Sequence, residues 1–135
     1  DTLLARILRI SAEMLAGQAG MIALREELGG WTASASHGIP PAFLRYMDRL
    51  LAEMQVDEDP ARNELPEINR LLQELTRTAS LGLLTGVGLP LIARQQVIGV
   101  IFIFRNYPGV FSANDTALLQ SFADQAAIAV YNARL

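Results

Sequence analysis

The stretch Leu89-Pro-Leu-Ile-Ala-Arg-Gln-Gln-Val-Ile-Gly-Val-Ile-Phe-Ile-Phe-Arg105 decides the fold of this chain. It predicts two neighbouring strands joined at Arg94-Gln95-Gln96, and the second strand carries an unbroken apolar run from Val97 to Phe104. A strand that alternates apolar and polar residues has one face in water, whereas a run that is apolar throughout needs cover on both faces of its sheet. The stretch therefore predicts a buried strand with a layer of structure on each side.

The flanking sequence supplies the elements for those layers. Apolar residues at helical spacing predict helices over residues 2–16, 41–54, 66–78 and 114–135. Ser112 is the expected N-cap of the last helix, and Asp115 follows three residues later, which is close to a capping box. Other strands are predicted over residues 21–25, 31–36 and 83–93, with a short edge strand over 55–59.

The composition is that of one globular domain over residues 1–135. The chain is 51% hydrophobic and has a formal net charge of −3, and its length suffices for a single core. Its apolar runs are far shorter than the roughly 20 residues that a bilayer requires, and no signal-peptide pattern opens the chain. We expect a cytoplasmic domain without direct membrane contact. Because the chain begins with Asp1, we also expect a fragment of a longer protein.

Missing residue types exclude most covalent and metal chemistry. The sequence contains no Cys and no Lys, which removes thiolate nucleophiles, thiolate metal ligands and Schiff bases. Its single histidine, His37, cannot form a histidine cluster for zinc. The positive charges are scattered arginines outnumbered by acidic residues, so no nucleic-acid partner is expected. No spacing suggests a paired acid and base, so we expect no enzyme and no catalytic residues.

Several of these segments together resemble the closing half of a GAF domain, a small-molecule sensor module of signalling proteins. The matching segments are Leu89-Pro90-Leu91, Val97-Ile98-Gly99-Val100, Phe111 and Asp124-Gln125-Ala126-Ala127. The resemblance implies an α/β fold of the α+β type with a central antiparallel sheet of five or six strands. In that family the first and last helices cover one face, and the middle helices enclose a ligand pocket on the other.

Specialised members of that family can be excluded by residue type. Members that attach a linear tetrapyrrole use a Cys, and those that reduce free methionine sulfoxide need catalytic Cys residues, so neither chemistry is expected here. The cyclic-nucleotide signature Asn-Lys-Phe-Asp-Glu requires a Lys that this chain lacks. A haem would need a proximal His, and nothing around His37 supports that role. The cofactor therefore stays unknown.

The resemblance places a candidate ligand pocket between the sheet and the helices at 41–54 and 66–78. The residues predicted to line it are His37, Phe43, Met47, Leu72, Leu75, Ile98 and Phe102. The alternative for the helix residues is ordinary core, and for His37 a position at the surface or rim. The pocket floor assumes that Ile98 and Phe102 share one strand face, while Gly99 lets a terminal helix approach.

The terminal helices carry more apolar surface than one sheet contact uses, which predicts a homodimer. The candidate interface residues are Leu3, Ile7, Ile10, Leu119, Phe122 and Ala126. Two hypotheses for function follow. In the first, the domain senses a small organic molecule and passes the change through its terminal helices to an effector such as the sensor histidine kinase of a two-component system. In the second, it dimerises and transmits a signal with no ligand of its own, its pocket filled by Phe43, Met47 and Met54.

Overall fold

The structure, a computed structural model, describes residues 2–27, 30–52 and 83–135. In chain order these residues form α1 (Thr2–Met14), β1 (Ala19–Arg25), β2 (Trp31–His37), α2 (Pro41–Ala52), β3 (Thr85–Ala93), β4 (Gln96–Arg105) and α3 (Ala113–Ala133). Each corresponds to a predicted element, with small shifts at the ends. The helix predicted at 66–78 and the edge strand predicted at 55–59 lie outside the described residues.

The strands form one antiparallel sheet in the order β2-β1-β4-β3. The central pair, β1 and β4, runs in register from Ala19 opposite Phe104 to Leu24 opposite Gly99. The predicted mixed fold with an antiparallel sheet and helices is thereby confirmed. The described residues contain four strands where five or six were predicted.

Two apolar clusters lie on opposite faces of this sheet, as the apolar run in β4 requires. The terminal-helix cluster joins α1 and α3 to one face and consists of Leu4, Ile7, Leu8, Ala12, Leu15, Ile22, Leu91, Ile101, Ile103, Leu119, Ala123, Ala126, Ala127 and Val130. The α2-side cluster covers the other face and consists of Ala19, Met21, Ala23, Trp31, Ile39, Met47, Leu51, Leu83, Val97, Val100, Phe102 and Phe104. Every residue of β4 from Val100 to Arg105 is buried between them.

Gly99 lies where two neighbouring strands of the sheet approach closely. A Cβ atom at this position would lie 2.8 Å from the backbone oxygen of Ala23 and 2.9 Å from a side-chain carbon of Leu24, both in the neighbouring strand β1. The small size of Gly99 thus lets β1 and β4 approach where β4 is irregular. That Gly99 also admits a terminal helix stays a prediction.

The turn between β3 and β4 is tight and conformationally unusual. Arg94 and Gln95 have φ angles of 49° and 65°. The two-residue hairpin turn of type I′ needs positive φ at both positions, which is why Asn and Gly are preferred there. The β3–β4 turn thus places two long side chains in a backbone conformation that L-residues disfavour.

The start of α3 is fixed by the predicted capping box. The Asp115 amide donates to the Ser112 hydroxyl at 3.0 Å, and the Ser112 amide donates to the Asp115 carboxylate at 3.0 Å. This reciprocal pair satisfies two amides that the first helical turn leaves without partners. Among the helices that the structure describes, none is long and apolar enough to cross a membrane.

Candidate functional site

The α2 side of the sheet is the face on which the sequence predicted a ligand pocket. Met47 and Phe102 meet there in one buried cluster, so the structure brings together two of the predicted pocket residues. Phe102 and Phe104 stack with ring centroids 6.1 Å apart. Met47, Leu51 and Phe102 are all 0% exposed, so this part of the face is closed by the protein's own side chains.

Ile98 lies on the opposite face, which corrects the predicted pocket floor. Leu91 pairs with Gly99 whereas Ile92 pairs with Val97, so Ile98 is an extra residue at an irregularity in β4. Such a bulge reverses the alternation of side chains along a strand. Val97 accordingly packs in the α2-side cluster, and Ile98 packs against the terminal-helix cluster. The prediction that Ile98 and Phe102 share a face is therefore wrong.

Between Gly86 and Pro90, strand β3 has no large side chain on the α2 side; the next residue on that side is Ile92, which is 37% exposed. Val87 and Leu89 pack against the terminal-helix cluster, and side chains alternate along a strand, so the intervening residues face the other way. These residues are Gly86, Gly88 and Pro90, which pair with Phe104, Phe102 and Val100 respectively. All three are half-buried, and we call them the glycine shelf. The shelf therefore presents two glycines and a proline ring, and no large side chain, beside two buried phenylalanines.

Two polar residues bear on the predicted pocket. His37 ends β2 and is half-buried, and it pairs with Gly20, where a Cβ atom would meet Leu8 and Ile103 of the terminal-helix cluster. Because paired residues share a face of the sheet, the predicted place of His37 in a pocket on the α2 side is wrong. Asp48 of α2 accepts a hydrogen bond from the backbone amide of Ala33 at 3.3 Å, which ties α2 to β2. The described part of the chain holds no group of three His, Cys, Asp or Glu residues suited to a metal ion.

Three of the side chains predicted to line the pocket lie outside the described part of the structure. The backbone of Phe43 belongs to α2, but its side chain lies outside the described part of the structure. Leu72 and Leu75 lie outside the described residues altogether. Their roles in a pocket therefore stay predictions.

The predicted dimer-interface residues divide between core and surface. Ile7, Leu119 and Ala126 are 7%, 0% and 0% exposed, so within a single domain they pack in the terminal-helix cluster. Their placement in an interface between two copies is therefore wrong. Leu3 is 46% exposed, and Ile10 and Phe122 are half-buried.

Two other apolar residues of the terminal helices are more exposed than any residue of the predicted set. Met14 of α1 is 59% exposed and Ile128 of α3 is 62% exposed. Leu118 and Ala129 are half-buried at the edge of the terminal-helix cluster. The buried rows of the two helices cover the sheet. The outward apolar surface therefore consists of the residues that flank those rows.

A buried arginine, which the sequence did not predict, joins the sheet to both terminal helices. Arg105 is 8% exposed, and its guanidinium donates to the backbone oxygen of Leu15 through Nε at 3.0 Å and through Nη2 at 2.6 Å. The same Nη2 lies 3.2 Å from the Asp115 carboxylate. The guanidinium carbon also lies 3.9 Å from the ring centroid of Phe111. One side chain thus contacts the end of α1 and the capping box of α3.

These contacts affect the ionisation of Asp115. Hydrogen bonding from the Ser112 backbone amide is the largest cause that lowers the pKa of this carboxyl, and Arg105 adds to it by hydrogen bonding and charge. Partial burial acts in the opposite direction and is outweighed. Asp115 is consequently held in its charged form more firmly than an ordinary aspartate.

Comparison with known proteins identifies the family. The GAF domain family model matches residues 1–130. No curated protein matches the chain. Among solved structures, one similar structure is a domain of a protein named as a candidate two-component sensor histidine kinase, from Sinorhizobium meliloti 1021. It superposes with a TM-score of 0.68 at 16% identity, and the match covers 98% of this chain and 92% of that one.

Two further structures have the same fold. A GAF domain/HD domain protein from Geobacter sulfurreducens has a TM-score of 0.65 at 20% identity and covers 96% of this chain and 91% of its own. The second GAF domain of DevS from Mycobacterium smegmatis has a TM-score of 0.64 at 19% identity, with coverages of 98% and 94%. At these identities the structures establish a shared fold, and the family model establishes membership. This chain belongs to the GAF domain family.

Proposed function

We propose that the domain is a regulatory module that senses a small organic molecule and passes the change to an effector, such as a sensor histidine kinase, through α1 and α3. GAF domains are generally regulatory and non-catalytic. The absence of Cys and Lys from the chain supports an inert domain, and it excludes a bilin attached through cysteine. The same proposal includes a cytoplasmic location for the domain and an effector in the same signalling protein.

The glycine shelf is the observation that carries the proposal. Gly86, Gly88 and Pro90 are half-buried, whereas Phe102 and Phe104 beside them are 0% exposed. Ligand pockets are mostly apolar and use backbone and a few polar groups for orientation. A ligand lying on β3 would therefore present an apolar side to the shelf, with the phenylalanines as its neighbours. Because α2 contacts β2, we place the ligand toward β3 rather than beneath Met47.

Native mass spectrometry of protein purified from its own host tests this proposal. We expect an excess mass under native conditions that disappears in denaturing solvent, since no covalent attachment is expected. Gly88→Val adds a side chain on the shelf with a residue that strands favour, so it should abolish the excess mass. Leu89→Ile is the matched control, because this residue lies on the same strand and faces the terminal helices. Binding that survives Gly88→Val unchanged would place the ligand elsewhere.

A module without a ligand is the second candidate function. It is favoured by Met47 and Leu51, which are fully buried against the sheet and close part of the predicted pocket. In that case native and denatured masses agree in every preparation. Regulation would then depend on assembly alone.

We also propose that the domain forms a homodimer through the outer sides of α1 and α3. Leu3, Met14 and Ile128 leave apolar surface in water, which costs about 25 cal/mol per Å². Sedimentation at micromolar concentration should show a dimer that Ile128→Glu converts to a monomer without unfolding it. Asn114→Glu is the control, because Asn114 is exposed on the same helix. A wild-type chain that is monomeric throughout would contradict the dimer.

A further inference from the structure

Arginine side chains attach α3 to the sheet near both of its ends, in two different ways. Near its first turn, Arg105 of β4 is 8% exposed and makes two hydrogen bonds to the Leu15 carbonyl, one to Asp115 and a close ring contact with Phe111. Charge-assisted hydrogen bonds shielded from water are the stronger kind. The N-terminal end of α3 is therefore held by a compact and buried set of contacts.

Beyond its buried residues Ala126, Ala127 and Val130, the C-terminal end of α3 is held by exposed contacts. The guanidinium carbon of Arg94, in the β3–β4 turn, lies 5.2 Å from the ring centroid of Tyr131. One turn later, Arg134 donates to the backbone oxygen of Arg25 at 2.7 Å. Arg94, Arg134 and Arg25 are all exposed, and cation–π contacts in water are weak. The last turn of the helix, past the buried Val130, is consequently attached by weaker contacts than the first turn.

The turn that makes the weak contact is itself strained. Arg94 and Gln95 both have positive φ, a conformation that persists only when surrounding structure enforces it. The turn also joins the two strands that carry the glycine shelf and Phe102. A shift of the β3–β4 hairpin would therefore move Arg94 relative to Tyr131 while Arg105, at the far end of β4, stays in place.

We propose that α3 pivots at Arg105 and is latched at Arg94–Tyr131, so that the β3–β4 hairpin controls a swing of its C-terminal end. The helix has 21 residues and is about 31 Å long, so a tilt of about 10° moves its end by about 5 Å. This inference rests on the proposed function, because it states how an event on the shelf reaches α3. Its test needs no ligand.

Amide hydrogen exchange of the 135-residue chain, read by mass spectrometry, tests the latch. Arg94→Ala and, separately, Tyr131→Leu should speed exchange over residues 127–133 by about two- to fivefold, the size expected for an exposed cation–π contact. Exchange over residues 113–119 should not change. Gln95→Ala is the matched control, since it truncates a long side chain at positive φ in the same turn and leaves Arg94 in place. The latch is refuted if Arg94→Ala leaves residues 127–133 at the wild-type rate, or if Gln95→Ala has the same effect.

Arg105→Lys tests the pivot, because lysine keeps the charge but not the paired donors. It should speed exchange over residues 113–119 more than over residues 127–133. If this variant does not fold, Asp115→Asn, which weakens one contact of Arg105, is measured in the same way. An increase in the exchange rate over residues 127–133 that equals or exceeds the increase over residues 113–119 would refute the pivot. If the exchange measurements fail and a ligand is still detected by native mass spectrometry, the pivot and latch are wrong and the sensing proposal stands. If no ligand is detected, the sensing proposal fails, and the exchange measurements still decide the pivot and the latch.

Discussion

Replacing Arg105 with methionine should cost the domain a large part of its stability. Methionine approximates the length and apolar stem of arginine, so it fills the space between β4 and the terminal helices without opening a large cavity. It removes both hydrogen bonds to the Leu15 carbonyl, the contact with Asp115 and the stacking of the guanidinium on Phe111. It also leaves the Leu15 oxygen, at the end of α1, without these donors.

The expected loss follows from these contacts. A hydrogen bond from a charged donor contributes about 1.5–3 kcal/mol, and a buried acceptor left unpaired costs about 1–3 kcal/mol. A partly desolvated cation–π contact adds about 1–2 kcal/mol. These contributions overlap because they share one side chain, and we expect Arg105→Met to lower the free energy of unfolding by about 3–5 kcal/mol. Most domains have only about 5–15 kcal/mol in total.

Urea unfolding followed by circular dichroism measures this loss. With a slope of about 2 kcal/mol per molar urea, the midpoint should fall by about 2 M at unchanged slope. Arg9→Met is the control, because Arg9 is exposed on α1 and its replacement should change stability by less than about 0.5 kcal/mol. A loss below about 1 kcal/mol for Arg105→Met would show that the buried guanidinium is not what holds α1 and α3 to the end of β4.

Three other predictions concern single residues. Gln95→Gly should raise the free energy of unfolding by about 1 kcal/mol and raise Tm, because glycine adopts the φ of 65° without a Cβ penalty; an unchanged Tm would argue against strain in the turn. Gly99→Ala should destabilise by about 1–3 kcal/mol in the same urea assay, because its Cβ would lie 2.8 Å from the Ala23 backbone oxygen; a neutral effect would contradict that close approach. The folded-state pKa of Asp115 is below its ordinary 3.8, so its contribution is complete above about pH 5 and is lost as the pH falls through the folded value. The stability difference between wild type and Asp115→Asn should therefore shrink on acidification, and a difference that stays constant down to pH 3 would contradict the lowered pKa.

Local signals predicted the elements well. The turn predicted at Arg94-Gln95-Gln96, the cap at Ser112 and the burial of β4 depend on residues close together in the chain; the cap and the burial were found as predicted, and the turn is one residue shorter because Gln96 begins β4. The glycine shelf also had a local signal, since Gly86 and Gly88 alternate within a strand and so empty one of its faces. That pattern is the signal in the sequence from which the shelf can be predicted.

Contacts distant in sequence could not be predicted in the same way. The bulge at Ile98 gave no signal, because a strand that is apolar at every position carries no alternation from which to assign faces. Arg105 reads as the solvated end of a strand, and its main acceptor, Leu15, is 90 positions away. On the terminal helices, broad apolar surfaces did not distinguish the buried rows with Ile7 and Leu119 from the flanking residues.

The most direct test of ligand sensing is a crystal structure of the protein purified from its own host. We expect electron density for a small molecule against Gly86, Gly88 and Pro90, on the side of the sheet that carries Phe102. Density between the sheet and the terminal helices would contradict the placement. A shelf covered only by the protein's own side chains, in a crystal of protein that shows no excess native mass, would contradict the claim that the domain binds a ligand.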